Sequence, residues 1–314
     1  MLNRTSIVIL FSALLFSACD SGHKPLDTPT SGTITIAADE SFEAIAQAEV
    51  NTFNGLYKYA TITPQFVSEQ ECFKRLMNDS VRLIITTRTL AVEESIYFDR
   101  QKLHPRATKI AYDALAIIVN KENPDTLFRY DELKEIFSGK VNTWAQRKPN
   151  STLGEIHIVF DNTGSGNVRM IREKMLGNAE APLPSNCFAA KTNPEVIDYV
   201  NTHKDALGII GVSWVSDGDD TVLKGFLNKI KVAAVAPAVN MKGAGEYYLP
   251  FQAYIAQGVY PLIREVFVVS REARTGLGTG FASFIASDKG QRSILKSGMV
   301  PATMPIRLIN IKSE

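Results

Sequence analysis

Three short polar segments of this sequence could hold an anion with no metal and no catalytic base. Asp161-Asn162-Thr163-Gly164-Ser165-Gly166-Asn167 lies between a run that reads as a buried strand and one that reads as a helix. Its backbone N–H groups and hydroxyls therefore stand at the positive end of a helix, where negative charge is favoured. Gly164 and Gly166 let the backbone approach a ligand closely, and Ser165 can donate through its hydroxyl. Asp39-Glu40-Ser41-Phe42 and Thr86-Thr87-Arg88-Thr89 also follow strand-like runs, so hydroxyls cluster at strand carboxyl ends, where open α/β sheets bind ligands. Helix capping explains each segment taken singly. Its recurrence at three strand ends favours a shared anion site.

Other chemistries fit the residues poorly. A G-x-S-x-G nucleophile elbow fails at Ser165, because Thr163 stands where the first Gly is needed. Gly276-Leu277-Gly278-Thr279-Gly280 misses dinucleotide-binding spacing, and no H-E-x-x-H metal motif occurs. The four His residues, at 23, 104, 157 and 203, are scattered. An enzyme is not expected, nor a cofactor or metal. Beyond Cys19, Cys72 and Cys187 are far apart and form no C-x-x-C pair; two buried thiols are favoured over a disulfide. A formal net charge of +1 provides no broad basic field, which argues against a nucleic-acid partner.

The elements that must position these loops follow from periodicity. Thr33 to Ala37 alternates like a strand, and Phe42, Ile45, Ala46, Val50 and Phe53 share a helical face. Strands are expected around Ile62–Val67, Val81–Thr86, Leu115–Val119, Ile156–Phe160, Leu207–Ile210 and Val266–Val269. Helices are expected after Ser68, which forms a capping box with Glu71, and over Leu133–Phe137, Asn167–Leu176 and the segment after Pro194. A face carrying Phe281, Phe284 and Ile285, and a last helix ending near Gly298, close the chain. Strands alternating with helices imply a mainly parallel sheet covered on both faces. The length exceeds what one core usually supports, so two lobes are expected.

The amino-terminal segment carries its own signal. Arg4 precedes an apolar run from Ile7 to Phe16 that is too short to span a bilayer, with Ser17 and Ala18 after it. Leu15-Phe16-Ser17-Ala18-Cys19 resembles the bacterial lipobox, with Phe16 in place of the usual Leu. Residues 1–18 are therefore expected to be a lipoprotein signal peptide and Cys19 the lipid attachment point. Residues 19–31, rich in Ser, Thr, Pro, Gly and Asp, read as a flexible tether.

One longer stretch is more specific. Ala111-Tyr112-Asp113-Ala114-Leu115-Ala116-Ile117-Ile118-Val119-Asn120 is followed by Asn123-Pro124, Leu133, Ile136-Phe137-Ser138-Gly139-Lys140 and Asn142-Thr143-Trp144. In order and spacing it resembles the phosphate-binding proteins of bacterial high-affinity phosphate import, within the two-lobed periplasmic binding proteins. Tyr260-Pro261-Leu262-Ile263-Arg264-Glu265 is similar to that family's return strand.

The resemblance implies an α/β, type II periplasmic-binding-protein fold, with two lobes of mainly parallel sheet flanked by helices and joined by two crossing strands. Residues 32–111 and 241–314 would form lobe one, and 112–240 lobe two. It further implies a monomer on the periplasmic side of a bacterial membrane, anchored through Cys19, that passes phosphate to an ABC permease. By matching position, Ser41, Phe42, Thr86, Thr87, Gly164, Ser165, Gly166 and Asn167 inherit the phosphate contacts, Asn167 standing where Thr is usual. Asp161 departs from the pattern, because it falls where the family commonly has an Arg, and a carboxylate cannot neutralise a dianion. Arg88 is the favoured replacement, with Arg169 as the other candidate. Asp161 would instead accept the proton of hydrogen phosphate and so discriminate against sulfate. The alternatives are another oxyanion, a small organic anion, or a sensor without transport.

Overall fold

A computed structural model of the chain describes residues 27–216 and 228–305. Cys19, the proposed signal segment and most of the tether lie outside the described residues. The first lobe opens with β1 (Ser31–Asp39), α1 (Glu43–Leu56), β2 (Tyr59–Val67), α2 (Glu69–Met77), β3 (Leu83–Thr86) and α3 (Val92–Arg100). Next come β4 (Arg106–Asn120), β5 (Leu127–Arg129), α4 (Tyr130–Phe137), β6 (His157–Phe160) and α5 (Gly166–Ile171), the last running into a π-helical turn over Arg172–Leu176. β7 (Cys187–Ala189), α6 (Asn193–Thr202), β8 (Ala206–Gly211), β9 (Ile230–Val232) and β10 (Ala234–Ala236) complete the middle of the chain. β11 (Ile263–Ser270), α7 (Leu277–Ile285), α8 (Asp288–Lys296) and β12 (Val300–Pro301) follow.

Ten strands form one curled sheet in the order β2-β1-β3-β11-β4-β8-β6-β7, with β9 and β12 also paired to β4. The outer pairs are parallel, as the alternation of strands and helices requires: β1 with β2 and β3, and β6 with β7 and β8. β4 and β11 run antiparallel to each other and to β8 and β3 respectively. They are the two crossing strands. The sequence pattern shows only Leu115–Val119 as a strand, yet β4 is 15 residues long. Its first part pairs with β11 and its second with β8, so the two parts pack against different cores and share no single burial pattern.

One core gathers β1, α1, β3, β11 and α7 around Ile36, Phe42, Phe53, Ile85, Val268 and Phe281. The other gathers Leu115, Phe137, Trp144, Phe160, Ile209 and Tyr260. Met241, Tyr248, Tyr254 and Ile255, from the segment that sequence analysis assigns to lobe one, pack on this second core. Cys72 is buried and Cys187 half-buried, and both are free thiols.

Of the capping box expected at Ser68 only one half forms, because the Glu71 carboxylate turns to Arg75 Nε at 3.0 Å. The Ser68 hydroxyl accepts from the Glu71 N–H at the start of α2, and Gly177, at φ 76°, ends the π turn in the left-handed region that favours glycine. α3 escapes periodicity because Phe98 is its one buried residue.

Glu49 breaks the apolar face of α1. It is 1% exposed, and neither carboxylate oxygen has a hydrogen-bond partner. Phe42, Ile85, Ile110, Val266, Ile294 and Met299 surround it. Burial alone pushes its carboxyl up to about 8. The folded state thus holds a proton that the unfolded chain releases near pH 4.5, and stability falls as pH rises through that window. Glu49→Met is expected to raise stability by about 2 kcal/mol or more at pH 8 and by little at pH 4. Urea unfolding of both proteins at the two pH values checks this.

Candidate functional site

The three hydroxyl-bearing loops meet where the lobes face each other. β1 ends at Asp39, whose Oδ1 accepts from the Ser41 N–H at 2.9 Å and caps a short 3-10 turn over Glu40–Phe42. β3 ends at Thr86, and its hydroxyl donates back to the Arg88 carbonyl at 3.1 Å. β6 leads into the loop before α5, where Ser165 Oγ accepts from the Val168 N–H at 3.2 Å as the helix cap. Ser41, Thr86, Thr87, Asp161, Ser165, Gly166 and Asn167 are all buried.

Contacts cross between the lobes at these residues. Ser41 Oγ donates to Asn167 Oδ1 at 3.3 Å, and the Gly166 N–H donates to Asp39 Oδ2 at 3.0 Å. The Gln70 N–H donates to the Gly164 carbonyl at 3.1 Å. Gly166 must be glycine here, because a Cβ would stand 2.7 Å from Thr87 Oγ1 and 3.0 Å from Glu69 Oε2.

The arginines fall differently from the sequence expectation. Arg88 is engaged by Glu94 through two hydrogen bonds of 2.7 and 2.8 Å. Its guanidinium lies 3.4 Å from the centroid of the Phe73 ring, and Nε is 3.9 Å from Glu69 Oε1. Arg169 enters the centre instead. Its Nε donates to Glu69 Oε1 at 2.5 Å and its Nη2 to Thr87 Oγ1 at 2.7 Å. Sequence reasoning missed Arg264 as a site residue. It sits on β11 directly opposite Asp113 of β4, donates from Nε to Asp113 Oδ2 at 2.8 Å, and from Nη1 to Asn167 Oδ1 at 2.6 Å. The Phe42 ring centroid lies 5.2 Å away, and Gly211 leaves room, since a Cβ there would be 3.3 Å from Arg264 Nη2. The available signal was a charged residue inside each of two apolar strands, Asp113 and Arg264.

Carboxylates supply the acceptors. Asp161 takes the Ser165 hydroxyl on Oδ1 at 2.6 Å and the Asn167 amide on Oδ2 at 2.9 Å. Sequence analysis expected Asp161 to accept the proton of hydrogen phosphate; both of its oxygens are instead engaged by Ser165 and Asn167, and it orients those two side chains. Glu69 Oε2 accepts from the Thr87 N–H at 2.7 Å and the Thr87 hydroxyl at 2.5 Å. Glu69, the first residue of the helix that Ser68 caps, was not among the expected site residues.

Burial lifts the Asp39 carboxyl, and the nearby Glu69 lifts it further. Burial works against the charge on Glu69 too, but Arg169 and the Thr87 hydrogen bonds prevail and hold its carboxyl below the usual range. A cleft of about 790 Å³ opens beside this centre, lined by Gln70, Phe73, Arg88, Thr163, Arg169 and Arg172, with Glu69 on its wall.

Burial, then the charge of Asp39, pushes Asp161 up to about 7 from an ordinary value of 3.8. Its contribution to folding is therefore present below pH 3.8 and lost as pH rises toward 7. Asp161→Asn is expected to flatten the fall in stability across that interval, as read by denaturant midpoints. Equal slopes in the two proteins would contradict the assignment.

Comparison with known proteins agrees with the fold. The phosphate-binding protein PstS of Staphylococcus saprophyticus is 23% identical over 285 residues, covering 89% of this chain and 84% of that protein. A substrate-binding protein of Clostridium perfringens, crystallised with bound phosphate, superposes with a TM-score of 0.70 at 20% identity, covering 86% of this chain and all of that one. An ABC-type phosphate transport receptor from Vibrio cholerae gives a TM-score of 0.64 at 20% identity, again over 86% of this chain and all of the receptor. A family model described as the PBP superfamily domain matches residues 24–289. Two lobes joined by crossing strands, together with that match, make this chain a member of the PBP superfamily.

Proposed function

We propose that the chain is an extracytoplasmic solute-binding lipoprotein that captures phosphate between its lobes and delivers it to an ABC importer. The observation that carries this reading is the convergence of Ser41, Thr87, Ser165, Gly166 and Asn167, from three loops and both lobes, within reach of Arg264 and Arg169. Backbone N–H, hydroxyl and guanidinium donors are thus gathered at the lobe junction, the kind of groups that a desolvated tetrahedral anion requires. The PstS relative and the phosphate-bound neighbour support the choice of phosphate. The relatives are described as phosphate-binding and phosphate-transport proteins, and we assign no catalytic step. Asp161, with both oxygens engaged by Ser165 and Asn167, would act on selectivity by aiming those groups.

A second reading is favoured by one observation: Asp39 and Glu69 already accept hydrogen bonds from several of these donors. On that reading the fold takes another oxyanion or a small organic anion, or senses without transport.

Calorimetry on the purified chain with phosphate, sulfate and molybdate separates the two. Phosphate is expected to bind in the micromolar range, about 8 kcal/mol, with sulfate weaker by at least about tenfold. No heat with phosphate would remove the first reading. For the anchor, Cys19→Ser is expected to abolish acylation and release the protein from the membrane fraction. A variant that stays membrane-bound would refute lipid attachment at Cys19.

A further inference from the structure

We propose that Glu69 is a built-in occupant of the anion seat, which holds the lobes together without solute and must leave before an oxyanion can bind. Asp39 completes the seat and stays. The four oxygens of these two carboxylates receive the Ser41 N–H, the Gly166 N–H, the Thr87 N–H and hydroxyl, and Arg169 Nε, at 2.5 to 3.0 Å. A tetrahedral anion entering the same place would take a comparable set. Asp39 and Glu69 belong to the first lobe and Gly166 and Arg169 to the second, so the Gly166 and Arg169 bonds span the junction as a bound solute would.

The two acids differ in freedom. Asp39 is fully buried and committed to capping the Glu40–Phe42 turn. Glu69 lies on the first turn of α2, on the wall of the open cleft, where Arg88 Nε already stands 3.9 Å from its Oε1. Rotation of the Glu69 side chain toward Arg88 would free Thr87 and Arg169 while keeping its charge paired.

Electrostatics makes that exit necessary. Asp39, Glu69, Asp113 and Asp161 bring four acids to a buried centre where Glu69, ionised against Arg169, already occupies that guanidinium, Asp113 occupies Arg264, and Arg88 is held by Glu94. A dianion added while Glu69 remains would be repelled in a medium that screens poorly. Glu69 therefore sets the affinity of the site by competition.

The affinity part of this inference rests on the oxyanion reading above, whereas the closure part does not, so the experiment measures both. Full-length wild-type, Glu69→Gln and Glu69→Ala proteins are compared by small-angle scattering in phosphate-free buffer and by calorimetric titration with inorganic phosphate. The wild type is expected to be compact without solute, and Glu69→Ala to expand and then contract on adding phosphate. Both variants are expected to bind phosphate at least about tenfold more tightly than the wild type. Should Glu69→Ala fail to fold, the near-isosteric Glu69→Gln carries the comparison. An expanded solute-free wild type with unchanged variants, or variants that bind phosphate more weakly, would overturn the proposal. Expansion of Glu69→Ala with no phosphate binding by any of the three would uphold the occupant and reject phosphate as the solute.

Discussion

Charge that has been taken out of water must be paired, hydrogen-bonded or neutralised, and the junction between the lobes is arranged around that requirement. Asp39 and Asp113 are fully buried beside Arg264 and the Gly166 N–H, while Glu69 is ionised against Arg169. Each loop that reaches the junction brings a group that answers another loop's need. Remove the acids, and the Gly166, Thr87 and Ser41 donors would face one another with nothing to accept them. Remove the arginines, and like charges would share a dry space. The geometry of the strand ends is thus set by electrostatic mutual dependence as much as by apolar packing.

That dependence also accounts for the small residues around the centre. Gly166 admits Thr87 closer than a Cβ could stand, and Gly211 leaves Arg264 a tight but milder approach. Phe42 lies beneath the Arg264 guanidinium and belongs to the first core, so the charged centre is seated directly on apolar packing. The Phe42 side is therefore apolar, and the open cleft lies on the side of Glu69 and Arg169.

The elements were legible in the sequence wherever one residue pattern faced one core. β1, α1 and α2 read correctly from alternation and from the Ser68 cap, and the loop before α5 read correctly from Ser165 and its glycines. β4 read as a fragment because it serves two cores in succession. At the site, the hydroxyls were legible because strand-end chemistry is local. The choice of arginine was not, because it depends on partners far apart in the chain. Arg88 looked available until Glu94, one turn into α3, was seen to hold it. Arg264 meets Asp113 across 151 positions and Asn167 across 97, separations that no periodicity can report.

The bond between β4 and β11 has a mechanical consequence. Arg264 and Asp113 face each other on the two strands that pass from one body to the other, so any swing of the bodies turns about an axle on which this pair rides. A charge on such an axle would be displaced least by a swing, and Asn167, on the second body, would be displaced more. The Arg264–Asn167 contact would then be the bond nearest the axle, while the Gly166–Asp39 and Arg169–Glu69 bonds, made by residues outside the crossing strands, join the same two bodies.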